Sequence, residues 1–150
     1  SVLSYIHTCN DIDAALLRAI HEGLLSTAEH AQVKTELEQL LGDPLISSWF
    51  AEGCEIRTEV PVILPGGEES RFDRLLIKDN KAIVIDFKTG TPSKADHHQV
   101  LAYMDILRNM NFTEVEGYVL YVRTGEVVAV KAGKAKTVKK KNDSQLELGL

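Results

Sequence analysis

The stretch "RFDRLLIKDNKAIVIDFKTG", residues 71–90, predicts two antiparallel strands joined by a tight turn. Its two apolar runs flank the pair Asp79-Asn80, and both residue types tolerate the positive φ that a two-residue hairpin turn requires. In such a turn Lys78 lies opposite Lys81. The rest of the pairing then follows residue by residue along both strands.

The predicted pairing brings two acidic residues together. Counting five residues back from the turn places Asp73 directly opposite Asp86, on the same face of the sheet and with Cβ atoms about 4.5–5.5 Å apart. The strand around Asp86 is a nearly continuous apolar run, which is typical of a central strand covered on both faces. Two ionised carboxylates there would repel each other by about 4 kcal/mol at ~4 Å and an effective dielectric constant of ~20. The hairpin therefore predicts either a proton on one carboxylate or a cation between them.

A lysine joins the two acids. Lys88 is two residues beyond Asp86, so the period of a strand turns its amine to the same face. Hard oxygen ligands at this spacing suit Mg²⁺ or Mn²⁺, and an ammonium beside the metal can orient a water or stabilise charge on a phosphate. The alternative is a set of ordinary surface ion pairs, in which Asp73 pairs with Arg71 or Arg74, and Asp86 with Lys88. The placement of all three groups in register on a buried hairpin favours the site.

The first part of the chain has the periodicity of helices. Capping residues begin three predicted helices at Asp11, Ser26 and Asp43, the last with proline at its first position. After Gly53 the period changes to that of strands. The sequence predicts strands at 54–64, 70–78 and 81–87, a helix at 95–110, and two further strands at 115–122 and 127–131.

This order predicts one α/β domain over residues 1–132. Residues 1–52 form its helical part, and residues 53–132 its sheet core with one helix. Residues 133–150, with the basic run "KAKTVKKK", are predicted to be a flexible tail.

Composition limits the class of protein. The chain has 150 residues, 44% hydrophobic and 26% charged, which is typical of a soluble globular domain, and no apolar run is long enough for a membrane span. A formal net charge of −5 disfavours a protein that holds nucleic acid mainly by its charge, although DNA remains possible as a substrate. Cys9 and Cys54 are expected to be free thiols in a cytoplasmic protein, and they exclude a four-cysteine metal site within this chain.

Three motifs resemble a known family. Asp73, followed thirteen positions later by Asp86-Phe87-Lys88, resembles the D…D-x-K core of the PD-(D/E)XK nucleases. "RFDRLLI", "VIDFKTG" and "HHQVLAYMDIL" resemble the consecutive motifs of its RecB/AddA-type branch, the C-terminal nuclease domain of UvrD-like helicase–nucleases. The resemblance implies a restriction-endonuclease-like core, a mixed sheet of about five strands flanked by helices, with a helical N-terminal part.

The resemblance also implies roles for single residues. Asp73 and Asp86 would be ligands of Mg²⁺ or Mn²⁺, the backbone carbonyl of Phe87 would be a third ligand, and Lys88 would be the catalytic lysine.

Three further residues match the family less specifically. Gln99 and Tyr103 match its Q-x-x-x-Y pattern and share one helix face, where they would support the site. Glu59 matches an acid of the preceding strand, a tentative metal ligand. A simple two-residue turn at Gly66-Gly67 would put Glu59 on the wrong face, and a one-residue bulge would restore it.

The branch usually has a metal-binding histidine on its first helix, in an H-x-x-L-S-like pattern. "SVLS", residues 1–4, fits the end of that pattern, so we expect the histidine just upstream of Ser1. His7 is a candidate substitute, although a surface role is more typical of such a histidine.

The resulting hypothesis is a metal-dependent DNA exonuclease domain of a helicase–nuclease that processes DNA ends in recombinational repair. ATP would be used only by the helicase part, and the partners would be DNA, the helicase domain of the same parent chain and a second helicase–nuclease subunit. A free-standing exonuclease is another possibility. The alternative from a different class is a catalytically inactive module of the same fold that binds DNA or scaffolds a helicase subunit.

Overall fold

The computed structural model describes residues 2–131 and 134–139. In this part of the chain the α-helices are α1 (Ile12–His21), α2 (His30–Leu41), α3 (Pro44–Ser48) and α4 (Lys94–Asn109). The strands are β1 (Glu55–Ile63), β2 (Glu69–Lys78), β3 (Lys81–Lys88), β4 (Glu114–Tyr121), β5 (Glu126–Lys131) and β6 (Lys134–Lys139). Short 3₁₀ helices occur at Val2–Tyr5, Cys9–Asp11 and Thr27–Glu29.

All strands of the described residues form one mixed sheet, in the order β1-β2-β3-β4-β5-β6. Neighbouring strands are antiparallel except β3 and β4, which are parallel. A parallel pair cannot be joined by a tight turn, so α4 makes the crossover between them. The predicted α/β class, a mixed sheet with flanking helices and a helical N-terminal part, is confirmed.

The sheet has a strand that the sequence analysis did not predict. Residues 134–139 pair with β5 as β6, with contacts from Val128↔Thr137 to Lys131↔Lys134. Their charge predicts a flexible basic tail, but the free edge of β5 offers unpaired backbone groups that a following segment can satisfy. The remainder of the predicted tail, residues 140–150, lies outside the described residues.

The sheet separates two apolar cores. The N-terminal core lies between the sheet and the N-terminal helices and includes Leu16, Leu37, Trp49, Ile85 and Leu120. The α4 core lies on the opposite face and includes Val84, Val100, Tyr103, Leu107 and Val119. Because β3 and β4 contribute to both cores, they are covered on both faces. For β3, its nearly continuous apolar sequence predicted this.

Capping residues fix two of the helix starts. Asp43 Oδ1 accepts hydrogen bonds from the backbone N–H groups of Leu45 and Ile46, at 3.0 and 3.1 Å, which begins α3 as predicted. Ser93 and Asp96 form a capping box at the start of α4. The capping box of Ser93 and Asp96 sets where α4 begins.

Gly117 sets how closely α4 approaches β4. A Cβ atom at this position would lie 2.5 Å from Met104 Sδ and 2.7 Å from Val100 Cγ1, both in α4. Any larger residue here would force the side chains of Met104 and Val100 to move, so glycine permits the close approach. The close packing holds α4, with Gln99 and Tyr103, against the sheet.

Arg74 of β2 connects the sheet to the N-terminal helices. It is fully buried, and its guanidinium donates to the carbonyls of Trp49 (2.9 Å), Ile6 (2.5 Å) and His7 (2.6 Å). The same group lies 4.0 Å from the ring centroid of Phe50. Burial lowers its pKa to about 10, so Arg74 remains a cation at neutral pH.

Removal of this guanidinium is expected to destabilise the protein. Arg74→Met would leave three buried carbonyls without their donors, at a cost of about 3 kcal/mol in the free energy of unfolding. Arg71→Met is the matched control, because the Arg71 side chain is 62% exposed and its loss should change stability by less than about 0.5 kcal/mol. Urea denaturation measures both, and equal values would contradict a special role for Arg74.

Candidate active site

A cleft opens beside the ends of β2 and β3, on the face of the sheet that α4 covers. Its volume is about 660 Å³. Its lining does not include the candidate substitute His7, but it includes every other site residue that the sequence analysis named: Glu59, Asp73, Asp86, Phe87, Lys88, Gln99 and Tyr103. The structure therefore brings these residues to one place.

The β2–β3 hairpin has the predicted register near its turn. Asp79 and Asn80 adopt positive φ values of 50° and 63°, and Lys78 pairs with Lys81. The regular pairing stops one residue before the two acids are reached. There Asp73 Oδ2 accepts a hydrogen bond of 2.8 Å from the Phe87 backbone N–H, so a side chain replaces the next main-chain contact. This is where the cleft begins.

Asp86 is a buried carboxylate, only 3% exposed. Burial raises its pKa, and the hydrogen-bonding contact with Asp73 and the charge of Asp73 raise it further, to about 7, although the Lys88 ammonium opposes the shift. Its Oδ2 atom lies 2.9 Å from Lys88 Nζ, an ion pair without hydrogen-bond geometry. The charge of Asp73 thus disfavours the ionised form of Asp86, which is the repulsion between carboxylates that their sequence positions predicted.

Lys88 lies between the acids and α4. Its Nζ donates to Gln99 Oε1 at 2.9 Å, in addition to the ion pair with Asp86. Burial lowers its pKa, but the close contact with Asp86 and the charge of Asp86, with smaller contributions from Asp96 and Asp73, outweigh this, and the net pKa is raised. Lys88 is therefore a cation at neutral pH, suited to donating hydrogen bonds and stabilising negative charge.

Ser70 is a residue of the cleft that the sequence analysis missed. Gln99 Nε2 donates to Ser70 Oγ at 3.2 Å, and Ser70 Oγ lies 2.5 Å from the hydroxyl of Tyr103. A continuous chain of polar contacts thus runs from Lys88 through Gln99 and Ser70 to Tyr103. No motif marks a single serine, and its role is visible only in the packing of β2 against α4.

A change of face in β2 explains why Ser70 and Asp73 meet. Arg74 lies in the N-terminal core, whereas Phe72 packs against Tyr103 in the α4 core, at 4.7 Å between ring centroids. Simple alternation would put Phe72 and Arg74 on one face. The switch between them lets Ser70 and Asp73, three residues apart, reach the same cleft.

The loop before β2 corrects the expected position of Glu59. The hairpin does not have a two-glycine turn, because Leu64 N–H donates to the carbonyl of Glu68 at 2.8 Å and residues 65–67 form a three-residue loop. This shifts the β1–β2 register by one residue and brings Glu59 level with Asp73. Glu59 therefore faces the cleft, which the simple turn had argued against.

Glu59 does not join the two aspartates in a compact cluster. Its φ is 53°, in the left-handed region that costs a non-glycine residue about 1–3 kcal/mol. Its Oε1 lies 3.8 Å from Arg71 Nη1, so an exposed ion pair occupies it at the rim. Within the described residues no group of three or more His, Cys, Asp or Glu side chains is arranged to hold a metal.

The ion-pair alternative holds only in part for one acid and fails for the other. Asp86 does pair with Lys88, but its carboxylate is buried and the pair is not the ordinary surface ion pair of that alternative. Arg74 instead binds backbone carbonyls of the N-terminal core, and Arg71 pairs with Glu59. Neither arginine forms the predicted ion pair with Asp73.

Comparison with protein-family models matches residues 7–148 to the PD-(D/E)XK nuclease superfamily. The chain belongs to this superfamily. A comparison with curated proteins gave no match. The family match confirms the superfamily part of the resemblance, whereas its RecB/AddA-type part stays a prediction. Members of the PD-(D/E)XK superfamily are usually metal-dependent nucleases.

The cleft of this PD-(D/E)XK domain fits a hard divalent cation. Two carboxylates are in contact, and among the described residues Asp86 Oδ2 is a buried oxygen that no donor hydrogen-bonds. Oxygen donors of this kind suit Mg²⁺ or Mn²⁺. A cation would relieve the repulsion that otherwise raises the pKa of Asp86.

No histidine is among the residues that line the cleft of this PD-(D/E)XK domain in the part of the chain described. His7 presents its backbone carbonyl to Arg74, and it does not line the cleft. His97, near the start of α4, has a buried Nε2 atom with no hydrogen-bond partner in the part of the chain described, and His98 is exposed. The structure thus gives no support for His7 as a substitute ligand.

None of the described helices combines the length and apolarity needed to cross a membrane.

Proposed function

We propose that this domain hydrolyses phosphodiester bonds of DNA with the help of a divalent cation, Mg²⁺ or Mn²⁺, bound in the cleft. The observation that carries the proposal is the contact between the half-buried Asp73 and the buried Asp86, with the Lys88 ammonium 2.9 Å from the second carboxylate. Two carboxylates in contact do not stabilise an apolar strand, whereas a metal-dependent nuclease needs such carboxylates to bind its cation.

Each residue of the cleft would have the role that its chemistry suits. Asp73, Asp86 and the backbone carbonyl of Phe87 would hold the ion, which when bound would polarise the phosphate and lower the pKa of the attacking water. Lys88, as a cation, would donate hydrogen bonds to the attacking water or to a phosphate oxygen and stabilise the charge that develops there. Gln99 and Tyr103 would support Lys88 from α4. Glu59 would act only after it leaves its ion pair with Arg71.

The finer proposal is an exonuclease domain of a helicase–nuclease that acts in DNA end processing and repair. The three motifs of the RecB/AddA-type branch support it. The net charge of −5 is compatible with it, because a motor domain that uses ATP would grip the DNA and feed a strand to the cleft. The proposed partners are therefore DNA, the helicase domain of the same chain and a second helicase–nuclease subunit.

Cleavage assays with the full-length protein test this function. End-labelled linear DNA should be degraded with Mg²⁺ or Mn²⁺ and spared with a chelator, and covalently closed single-stranded circles should be spared because they have no end. Asp73→Asn should abolish cleavage, and Asp105→Asn is the control, since the Asp105 side chain is 71% exposed in an ion pair on α4. Undiminished cleavage by Asp73→Asn would reject the proposed site. If the full-length protein does not bind Mn²⁺ in a calorimetric titration, the inactive-module alternative replaces it.

A further inference from the structure

We propose that Ser70 is a positioning residue that fixes the amide of Gln99 and, through it, the ammonium of Lys88. The proposal rests on the proposed nuclease function, and it deepens it by giving a role to a serine outside the D…D-x-K motif. The role has two links, from Ser70 to Gln99 and from Gln99 to Lys88.

The first link is the orientation of the Gln99 amide. An ammonium can only donate hydrogen bonds, so Lys88 requires the amide oxygen of Gln99 to face it, as it does at 2.9 Å. The Nε2 group must then point the other way, where Ser70 Oγ accepts from it at 3.2 Å. Ser70 therefore holds the end of the amide that Lys88 cannot hold.

Ser70 is itself held by a rigid neighbour. Its Oγ lies 2.5 Å from the hydroxyl of Tyr103, and Tyr103 is fully buried. The Tyr103 ring packs edge-on against Phe72, with centroids 4.7 Å apart, which restricts its movement. Because Ser70 accepts a hydrogen from Gln99, its own hydroxyl hydrogen is available to Tyr103. Ser70 thus connects the Gln99 amide, which could otherwise rotate, to the buried ring of Tyr103.

The second link is the position of Lys88. Its ammonium carries three hydrogens on a flexible stem; one is donated to Gln99, and Asp86 lies 2.9 Å away. With two directions occupied, the third hydrogen has a defined direction in the cleft. Loss of Ser70 would let the Gln99 amide rotate and would leave Lys88 with Asp86 alone, which lets the ammonium move away from a productive position.

The first measurement is independent of activity. In metal-free full-length protein labelled with ¹⁵N-glutamine, relaxation of the Gln99 side-chain amide reports its order. We expect an order parameter of about 0.8 in the wild type and below about 0.6 in Ser70→Ala. Ser70→Thr, which keeps a hydroxyl, should restore the wild-type value. Unchanged order in Ser70→Ala would overturn the proposal.

The second measurement is the single-turnover cleavage rate at saturating DNA and Mn²⁺. Ser70→Ala should lower this rate about tenfold while DNA affinity and melting temperature stay unchanged, and Ser70→Thr should rescue it. Ser48→Ala is the matched control, because it removes an exposed hydroxyl outside the cleft. A loss of DNA affinity without a change in the single-turnover rate would overturn the positioning role in favour of a direct substrate contact.

A comparison of single and double mutants tests whether Ser70 affects the cleavage rate through Gln99. If Ser70 acts through Gln99, Ser70→Ala should add less than about twofold to the defect of Gln99→Ala. Full additivity would overturn the proposed route. An inactive wild-type protein would reject the proposed nuclease function, and the relaxation measurement would still decide whether Ser70 positions Gln99.

Discussion

Asp86→Asn is expected to abolish metal-dependent DNA cleavage and at the same time to stabilise the metal-free protein above pH 7. Asparagine keeps the shape of the aspartate but carries no charge, so it removes the repulsion between Asp86 and Asp73. It also removes the anionic oxygen that a divalent cation would need. A residue whose loss improves folding and destroys activity is typical of a functional site that is kept at the expense of stability.

The pH dependence follows from the raised pKa of Asp86. The carboxyl has a pKa of about 7 in the folded protein, because of burial and Asp73, and an ordinary value of 3.8 otherwise. Below pH 3.8 it is protonated in both states and has no effect. Between pH 3.8 and 7 the unfolded state loses this proton first, so the contribution of Asp86 to stability falls as pH rises. Above pH 7 the full penalty, about 4 kcal/mol, is present.

Asparagine should recover on the order of 1–2 kcal/mol of this penalty, since Lys88 loses its ion partner but keeps Gln99. Urea denaturation of the metal-free protein at pH 5 and pH 8 measures the gain, which should be larger at pH 8. Calorimetric titration with Mn²⁺ should show no binding by the variant. Asp105→Asn, on the exposed face of α4, should change neither quantity. A variant that is less stable than the wild type at pH 8 would contradict the electrostatic account.

The central hairpin was predictable because its turn is local chemistry. Asp79 and Asn80 adopt the positive φ values that the turn requires, and the register near the turn follows from them. Local sequence therefore brings Asp73 and Asp86 together without any knowledge of the rest of the fold. The continuous apolar run of β3 likewise predicted that the strand is covered on both faces.

The polar chain through Ser70 was not predictable, because it depends on a distortion. A regular strand would point Ser70 and Asp73 to opposite faces, and only the switch between Phe72 and Arg74 brings both to α4. Glu59 shows the same limit, since the three-residue loop that sets its register differs from the simpler turn by one residue. A shift of one residue moves a strand side chain to the other face, so small local differences decide the composition of the cleft.

Arg74 shows how tertiary packing changes the meaning of a charged residue. Next to an aspartate in sequence, it resembles a surface ion-pair partner. In the fold it is fully buried and bound to carbonyls of Trp49, Ile6 and His7, which are distant in the chain. Because these contacts hold β2 immediately beside Asp73, the same arginine connects the N-terminal helices to the candidate metal site.

Lys88→Met is expected to lower the single-turnover rate of DNA cleavage by a factor on the order of 10²–10³ without preventing metal binding. Methionine keeps much of the length of the side chain but has no charge and no hydrogen to donate, so the charge that develops on the phosphate would lose its nearest cation of the protein. The carboxylates of Asp73 and Asp86 remain, and with them the donors for a divalent ion. The defect should therefore appear in the rate and not in the affinity for Mn²⁺ at pH 8.

The affinity for Mn²⁺ of Lys88→Met should, however, depend more steeply on pH. Lys88 is the group that lowers the pKa of Asp86 against burial and Asp73, so its loss raises that pKa further, and more of the carboxyl is protonated at pH 7. Titration with Mn²⁺ at pH 6.5 and pH 8 measures this, and rapid-quench assays at saturating Mn²⁺ measure the rate. Lys94→Met, which removes an exposed lysine at the start of α4, is the control for both. A wild-type cleavage rate in Lys88→Met would show that the chemistry of the cleft does not need this ammonium and would reject the role proposed for it.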